Sequence, residues 1–375
     1  MKIPLCKPYL GKEEIEAVNE VLKSGWLADG PKNKEFEKEF ASYIGTKKAT
    51  SLNSCTSALQ LAIEALGING EIIVPSFTFS ASANSIVKSG AKPVFVDVEY
   101  GACNMDPKKV AEKITKKTQA IMPVHFAGQA CNMKELMEIA EKNSLKVIED
   151  SAETIGGTFN NKKTGSFGIG CFSFYPTKNL TTGEGGMVTS NDEKLIEDIK
   201  VLKSHGMSKT TFAREKAEKP WLRASIKAGY NFRLCDLLAV IGLVQLKKVD
   251  KMNDLRRQHA LYLNKNLDFD GIDLPVEKKE CRHVYQMYTI KLRGIDRTNF
   301  IKMLRDNGIG ASVHFDPPVH LQPYYLDSGW KKEDLAVTEQ LSKSIVTLPM
   351  YPSLTKEELD FMIEKIEEAI KNSKR

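Results

Sequence analysis

Short apolar runs alternate with amphipathic helical patterns through the first two-thirds of this 375-residue chain. The runs typical of β-strands are residues 71–74, 93–98, 120–124, 146–149, 171–174 and 186–190. Helical patterns lie between several of these runs, at 80–89, 106–114 and 133–142. Such alternation predicts an α/β domain with a mostly parallel sheet that helices cover on both faces.

A further helix is predicted from Glu13 to Lys23, where apolar residues recur at helical spacing and a glycine follows. The apolar residues Ile15, Val18, Val21 and Leu22 share one face of this helix, and Gly25 provides its C-terminal signal.

The pattern changes after about Asp236. A long helix is predicted at 237–266, followed by a strand at 284–292 and a helix near 297–307. The last helix starts at Thr355, and Glu358 three residues later completes a capping box. We therefore predict a large domain over residues 1–240 and a smaller C-terminal α+β domain over 241–375.

Composition excludes several classes of protein. The net charge is only +6, and the basic residues are mixed with acidic ones, so nucleic-acid binding is not expected. No run of about 18 apolar residues could span a membrane, and the start turns polar too soon for a secretory signal. Seven cysteines at scattered positions are typical of reduced thiols, which predicts a cytoplasmic protein. The six histidines show no spacing typical of metal ligands, so no metal is expected.

Three segments could carry chemistry, and the first is 146–153. An apolar strand there ends in acidic residues that include Asp150 and Glu153. In α/β proteins the carboxyl edge of the sheet is where ligands bind. A buried carboxylate needs a cationic partner, and the protonated ring nitrogen of pyridoxal phosphate is one. The alternative is an acidic residue that only caps the following loop.

The second segment leads from a strand that ends near Ser173, through a turn containing proline, to Lys178. A lysine held in a desolvated site has a lowered pKa, which frees its amine for imine formation. Glycines 183, 185 and 186 would permit a tight backbone turn beside a bulky group. The alternative is an ordinary exposed lysine, and spacing alone does not decide between the two.

The third segment, 51–58, opens a helix with small and hydroxyl residues, among them Cys55 and Thr56. The free amides of a helix N-terminus can bind a phosphate. A plain N-cap explains the segment equally well. The glycines of 165–170 have the wrong spacing for a dinucleotide fingerprint, and no Walker motif occurs.

Together these segments resemble the nucleotide-sugar aminotransferases of the DegT/DnrJ/EryC1/StrS family, which depend on pyridoxal 5′-phosphate and have the aspartate-aminotransferase fold. The resemblance covers nearly the whole chain, in order. Its segments are 24–31, 53–59, 75–79, 123–129, 148–153, 173–178, 182–187, 229–233, 320–323 and 348–352. It implies a large cofactor-binding domain with a seven-stranded, mostly parallel sheet and a smaller C-terminal domain.

The resemblance also implies roles for individual residues. Lys178 matches the lysine that forms the Schiff base and moves the substrate proton. Asp150 matches the carboxylate paired with the pyridine nitrogen, and Glu153 matches a position near the ring hydroxyl. Phe79 matches the aromatic residue stacked on the ring. One relative has histidine in place of this lysine and performs deoxygenation, so Lys178 favours aminotransfer.

The phosphate of the cofactor would be bound by two sets of residues. Cys55, Thr56 and Ser173 match the cradle provided by the same subunit. Asn231 matches a phosphate ligand given by the neighbouring subunit, which implies a homodimer with two shared active sites. The substrate candidates by position in the family pattern are Trp26, Asp29, His314 and His320.

The implied reaction moves an amino group from L-glutamate to a nucleotide-linked keto sugar. The segments 149–157 and 172–186 look most like those of enzymes acting at carbon 4 of 4-keto-6-deoxy sugars. Amination at carbon 3 is an alternative, and so is a regulatory protein that binds the cofactor without turnover. A desulfurase or lyase would require a reactive cysteine on a mobile loop, whereas Cys55 and Cys171 lie in segments of another kind.

Overall fold

The computed structural model describes residues 1–207, 221 and 223–374. A seven-stranded sheet forms its centre, and its strands are β1 (Lys48–Leu52), β2 (Glu71–Pro75), β3 (Lys92–Val96), β4 (Thr118–Ile121), β5 (Lys146–Asp150), β8 (Ile169–Ser173) and β9 (Gly186–Ser190). Their order is β1-β9-β8-β5-β4-β2-β3. Only β9 runs against its neighbours, so the predicted mostly parallel α/β sheet is confirmed.

The described residues of this part of the chain form seven α-helices. They are α1 (Lys12–Ser24), α2 (Pro31–Ile44), α3 (Cys55–Ala65), α4 (Ser80–Lys88), α5 (Pro107–Lys113), α6 (Met133–Lys142) and α7 (Glu193–Leu202). Strand β2 shows why both faces of the sheet are covered. Ile72 and Val74 pack with residues of α3 and α4, whereas Ile73 packs with residues of α5 and α6. Successive side chains of a strand point to opposite faces, so both faces are buried in apolar clusters.

The C-terminal third begins with a long helix, α8 (Asp236–Asn266). A second sheet has the order β10-β12-β13 and consists of Ile272–Asp273, Tyr288–Leu292 and Ile345–Leu348. The helices of this region are α9 (Arg297–Asp306), α10 (Pro323–Leu326), α11 (Ala336–Ser344) and α12 (Lys356–Ser373). Helix α8 runs across position 240, and the domain boundary at 240/241 stays a prediction.

Two short pieces connect the two parts of the molecule. The hairpin β6 (Thr158–Phe159) and β7 (Lys162–Lys163) pairs through β6 with β11 (Cys281–Arg282). Strand β11 belongs to the C-terminal third, so this small sheet ties sequence-distant segments together.

Helix α1 is where the predicted apolar face differs from the structure. Of the four apolar residues, only Val21 is fully buried, whereas Ile15 and Leu22 are 64% and 52% exposed. Glu14 is buried instead, because its carboxylate accepts hydrogen bonds from Gln245 Nε2 at 2.7 Å and Lys248 Nζ at 2.8 Å. A charged side chain can be buried when its hydrogen-bond partners compensate for its lost hydration. The buried face of α1 therefore includes Glu14 and Val21 instead of Ile15 and Leu22.

The helix-end signals were correct. Gly25 follows α1 with φ of 71°, the left-handed conformation that glycine adopts without strain. Thr355 caps α12, and the reciprocal bonds with Glu358 form the predicted capping box. Among the residues that the structure describes, no helix is long and apolar enough to cross a membrane.

Candidate active site

A cavity of about 510 Å³ opens at the carboxyl edge of the central sheet. Its lining includes Asp150 at the end of β5 and Ser173 at the end of β8. Met287 and His314 of the C-terminal third close another side. Cavities of this size suit small organic ligands.

Asp150 is the most deeply buried acidic group of the cavity wall, at 5% exposure. Its carboxylate accepts hydrogen bonds from the Ser82 hydroxyl at 2.7 Å and the Ala152 amide at 3.2 Å. Burial raises the pKa of Asp150, and these two hydrogen bonds oppose the rise. Asp150 has no ion pair within the described part of the chain, so its ionised form would be stabilised by a cationic ligand in the cavity.

Lys178 lies on the turn after β8, and its amine donates to Glu153 Oε1 at 3.2 Å. The other oxygen of Glu153 accepts from the Ala127 amide at 2.8 Å, so the carboxylate is fixed between a backbone group and the lysine. The turn itself is held by Gln286, whose Nε2 donates to the Thr177 carbonyl at 3.0 Å. Lys178 is therefore positioned in the cavity wall.

The N-terminus of α3 forms another part of the wall, with Cys55 and Thr56 at its first positions. Ser54 caps the helix by accepting from the Ser57 amide at 3.1 Å, so the alternative of a plain N-cap describes a real contact. The same first turn lines the cavity, and first-turn amides have no partner within a helix. Gly186 lets β9 lie close to the start of α3, because a Cβ at position 186 would lie 2.3 Å from the Ser54 carbonyl oxygen.

Two more of the predicted residues line the cavity. Phe79 directly precedes α4 and is 64% exposed. His314 Nδ1 lies 2.8 Å from the Thr347 hydroxyl. Burial lowers the pKa of His314, and Glu153 and Lys178 act on it in opposite directions. His314 is thus a neutral, oriented group on the wall near the Lys178 amine.

Four predicted residues lie outside the cavity lining of their own chain. Trp26 and Asp29 are half-buried, Asn231 is exposed, and His320 is fully buried. His320 contacts the Ser76 hydroxyl at 2.6 Å and Glu339 at 3.4 Å, so both ring nitrogens are occupied by protein groups. The structure brings the other eight predicted residues together around the cavity.

Sequence reasoning missed several residues of the cavity wall, notably Thr78, Ser82, Gln286 and Thr347. Ser82 occupies the first turn of α4, where a serine has many ordinary explanations. Its contact with Asp150 spans 68 positions of sequence, and no local pattern signals it.

Cys55 and Cys171 are not reactive groups. Cys55 and Cys171 are buried, and desolvation raises the pKa of both thiols well above the usual range. Neutral buried thiols are poor nucleophiles, which argues against the desulfurase or lyase alternative. All seven cysteines are free.

The wall fits pyridoxal phosphate at three of its functional groups. The N-terminus of α3 suits the phosphate, the buried carboxylate of Asp150 suits the ring nitrogen cation, and the amine of Lys178 suits the aldehyde. Asp150 gives the strongest support for this fit, because its carboxylate is buried and forms no ion pair with any residue that the structure describes.

Comparison with known proteins agrees with this geometry. The model of the DegT/DnrJ/EryC1/StrS aminotransferase family matches residues 8–367. The spore coat polysaccharide biosynthesis protein SpsC of Bacillus subtilis is 41% identical, with 99% of this chain and 98% of that protein covered. A pleiotropic regulatory protein of Geobacillus stearothermophilus is 36% identical, with 96% and 95% covered.

Among solved structures, the putative sugar aminotransferase Spr1654 of Streptococcus pneumoniae superposes with a TM-score of 0.94 in its PMP form, at 28% identity. The comparison covers 99% of this chain and all of that one. Its PLP form superposes with a TM-score of 0.93.

Proposed function

We propose, on the premise that this chain belongs to the DegT/DnrJ/EryC1/StrS aminotransferase family, that it transfers an amino group from L-glutamate to the keto group of a nucleotide-linked sugar. The chain is an aminotransferase that depends on pyridoxal 5′-phosphate. The acceptor carbon that we propose is carbon 4 of a 4-keto-6-deoxy sugar. Relatives named for polysaccharide biosynthesis and for sugar aminotransfer support a sugar acceptor.

One observation carries the proposal: Asp150, Lys178 and the start of α3 face a single cavity of a size suited to a small substrate. The cofactor, when bound, withdraws electrons from the carbon that bears the amino group. Asp150 would keep its ring nitrogen protonated by placing a negative charge beside it. Lys178 would hold the cofactor and, once released, take the proton from the α-carbon of glutamate.

The remaining residues would bind and orient. Glu153 fixes the Lys178 amine from one side, at 3.2 Å. Phe79 would stack on the cofactor ring, and Ser173 with the first residues of α3 would bind its phosphate. The sugar would lie toward His314, whose ring is oriented by Thr347. Trp26, Asp29 and His320 stay substrate candidates by sequence position.

A homodimer would complete this site. Asn231 is exposed and lies outside the cavity of its own chain, as a residue serving a partner's cavity would. Phe79 and Tyr175 line the cavity and are 64% and 48% exposed. Exposed apolar residues beside a binding site commonly mark a surface that a partner covers.

The experiment is an absorbance spectrum of the purified protein with pyridoxal phosphate, recorded before and after glutamate is added. A visible band should form, bleach with glutamate and return with a 4-keto-6-deoxy nucleotide sugar. Lys178→Ala should form no such band, whereas Lys194→Ala on the exposed side of α7 should behave like the parent protein. If the parent protein forms no band, Lys178 is an ordinary lysine and its proposed role is wrong.

The other outcomes separate the alternatives. An amino group found at carbon 3 by NMR of the product would replace the carbon-4 proposal. A band that does not change with glutamate or any other amino donor would favour the regulatory alternative. The 36% identity to a pleiotropic regulatory protein is the reason to test that alternative.

A further inference from the structure

The carboxylate of Asp150 is held from one side by the first turn of α4. Ser82 donates its hydroxyl proton to Asp150 Oδ2 at 2.7 Å. The second fixed donor, the Ala152 amide, contacts Oδ1 at the longer distance of 3.2 Å. Hydrogen bonds to charged groups are stronger when short, so the Ser82 hydroxyl is the stronger of the two contacts.

A second hydroxyl stands behind the first. Thr78 Oγ1 lies 2.8 Å from Ser82 Oγ, and both side chains are 1% exposed. An ionised carboxylate can only accept, so the Ser82 proton points to Asp150. The Thr78 proton must then point to Ser82, which gives the chain of bonds a single direction, and such chains strengthen each member.

We propose that Thr78 and Ser82 form a hydrogen-bond relay that keeps the Asp150 carboxylate ionised and aimed at the ring nitrogen of the cofactor. Both are positioning residues, because they act through Asp150. The relay rests on the role proposed for Asp150 and is independent of which sugar is the acceptor. Phe79, the proposed stacking ring, directly precedes the same helix.

The charged surroundings of Asp150 do not replace the relay. Glu153 raises the pKa of Asp150 and Lys178 lowers it, so the two members of this ion pair act in opposite directions. The Cys55 and Cys171 thiols also interact with Asp150, but their pKa values lie well above the usual range and they stay neutral. Ser82 is the largest influence that lowers the pKa of Asp150 against the effect of burial.

The test is the dissociation constant of pyridoxal phosphate for the cofactor-free full-length protein, measured by titration from pH 5 to 9. Affinity should fall on the acidic side as Asp150 gains a proton. Without the relay Asp150 binds a proton more readily. In Ser82→Ala this acidic limb, the range over which cofactor affinity falls, should therefore lie at higher pH by about one unit. Thr78→Val should move it less, in the same direction.

Two variants control for structural damage. Ser82→Thr keeps a hydroxyl and should restore the parent profile. Ser85→Ala removes another buried hydroxyl of α4, one that donates to the Ser82 carbonyl at 2.8 Å and does not contact Asp150. Its profile should match that of the parent protein, because Asp150 keeps both of its hydrogen bonds.

If Ser82 only supported the fold, the Ser82→Ala variant would bind pyridoxal phosphate more weakly by the same factor at every pH. That result would overturn the relay. Asp150→Asn separates this failure from a failure of the proposed site. If Asp150→Asn loses the limb while Ser82→Ala leaves it in place, the relay alone is wrong. If Asp150→Asn keeps the limb, the role proposed for Asp150 is wrong and the relay falls with it.

Discussion

Asp150 is the residue whose role is most sharply testable, because asparagine has nearly the same shape and no charge. We expect Asp150→Asn to lower kcat by about 10³-fold or more, since a neutral amide cannot hold a proton on the ring nitrogen. The protein should stay folded, because the amide oxygen can accept from the Ala152 amide while the amide nitrogen donates to the Ser82 hydroxyl, whose own proton can turn to Thr78. Kinetics and a thermal melt check both statements. The exposed Asp268→Asn is the control, and equal activity of the two variants would refute the role.

His283 makes the stability of the fold sensitive to acid. Its Nδ1 accepts the Tyr285 amide proton at 2.9 Å, and the two rings stack at 3.9 Å. Burial, assisted by the nearby Arg257 cation, lowers the pKa of His283 to about 3. In the unfolded chain the pKa is near the usual value of about 6.5, so the unfolded state takes up the proton first. Stability that is present above about pH 6.5 is therefore lost as pH falls toward 3.

We expect this histidine alone to remove about 2 kcal/mol of unfolding free energy between pH 7 and pH 5. His283→Asn keeps an acceptor for the Tyr285 amide and cannot titrate, so its loss over the same interval should be smaller by about that amount. Urea unfolding at the two pH values measures the difference. The control is His205→Asn, because His205 is exposed with φ of 60°, a conformation that asparagine tolerates. Equal pH dependence of both variants would contradict the prediction.

At the residue scale, sequence reasoning predicted the residues that stand in recognisable segments. Asp150, Glu153 and Lys178 follow strands or turns, and the structure places all three around one cavity. Ser82 and Gln286 were missed because their contacts join sequence-distant segments: 68 positions separate Ser82 from Asp150, and 109 separate Gln286 from Thr177. Local patterns carry no information about such pairs.

Among the elements, helices with strong periodicity were predicted with nearly correct bounds, and α6 agrees at both ends. Strand β1 was missed because its sequence, Lys48–Leu52, has no apolar alternation. It is buried nevertheless, since Thr50 and Ser51 form hydrogen bonds with Glu37 of α2 at 2.8 to 3.1 Å. The hydrogen bonds to Glu37, rather than the strand propensity of the sequence, therefore explain why residues 48–52 form a buried strand.

The contact between α2 and α8 depends on a glycine inside a helix. A Cβ at Gly242 would lie 2.5 Å from the ring of Phe36, which is fully buried. Alanine raises helix propensity by about 1 kcal/mol over glycine. The steric conflict typically costs about 1 to 3 kcal/mol, so Gly242→Ala should be destabilising overall.

A double-mutant cycle with Phe36→Leu tests the cause. In the Phe36→Leu background the conflict is relieved, so Gly242→Ala should become neutral or stabilising there. The measurement is the free energy of unfolding of the four proteins. Additive effects would mean that the ring is not what excludes a side chain at position 242.

At the scale of the whole molecule, we propose that the site is shared between two subunits, and subunit mixing can test this proposal. Lys178→Ala removes the cofactor-binding amine from one cavity. Asn231→Asp places a negative charge on the residue that would bind the cofactor phosphate in the cavity of the neighbouring subunit. Each variant alone should be nearly inactive at limiting cofactor.

In a mixed dimer of these two variants, one site combines the intact lysine of one subunit with the intact asparagine of the other, and the second site carries both defects. Random exchange makes about half of the dimers mixed, so recovery of about one quarter of the parent activity is expected. Mixing after unfolding and refolding gives the exchange, and the separately refolded variants give the baseline. No recovery, although mixed dimers are seen by native mass spectrometry, would show that Asn231 serves the cavity of its own chain. The exposed position of Asn231, outside the cavity of its own chain, leads us to expect recovery.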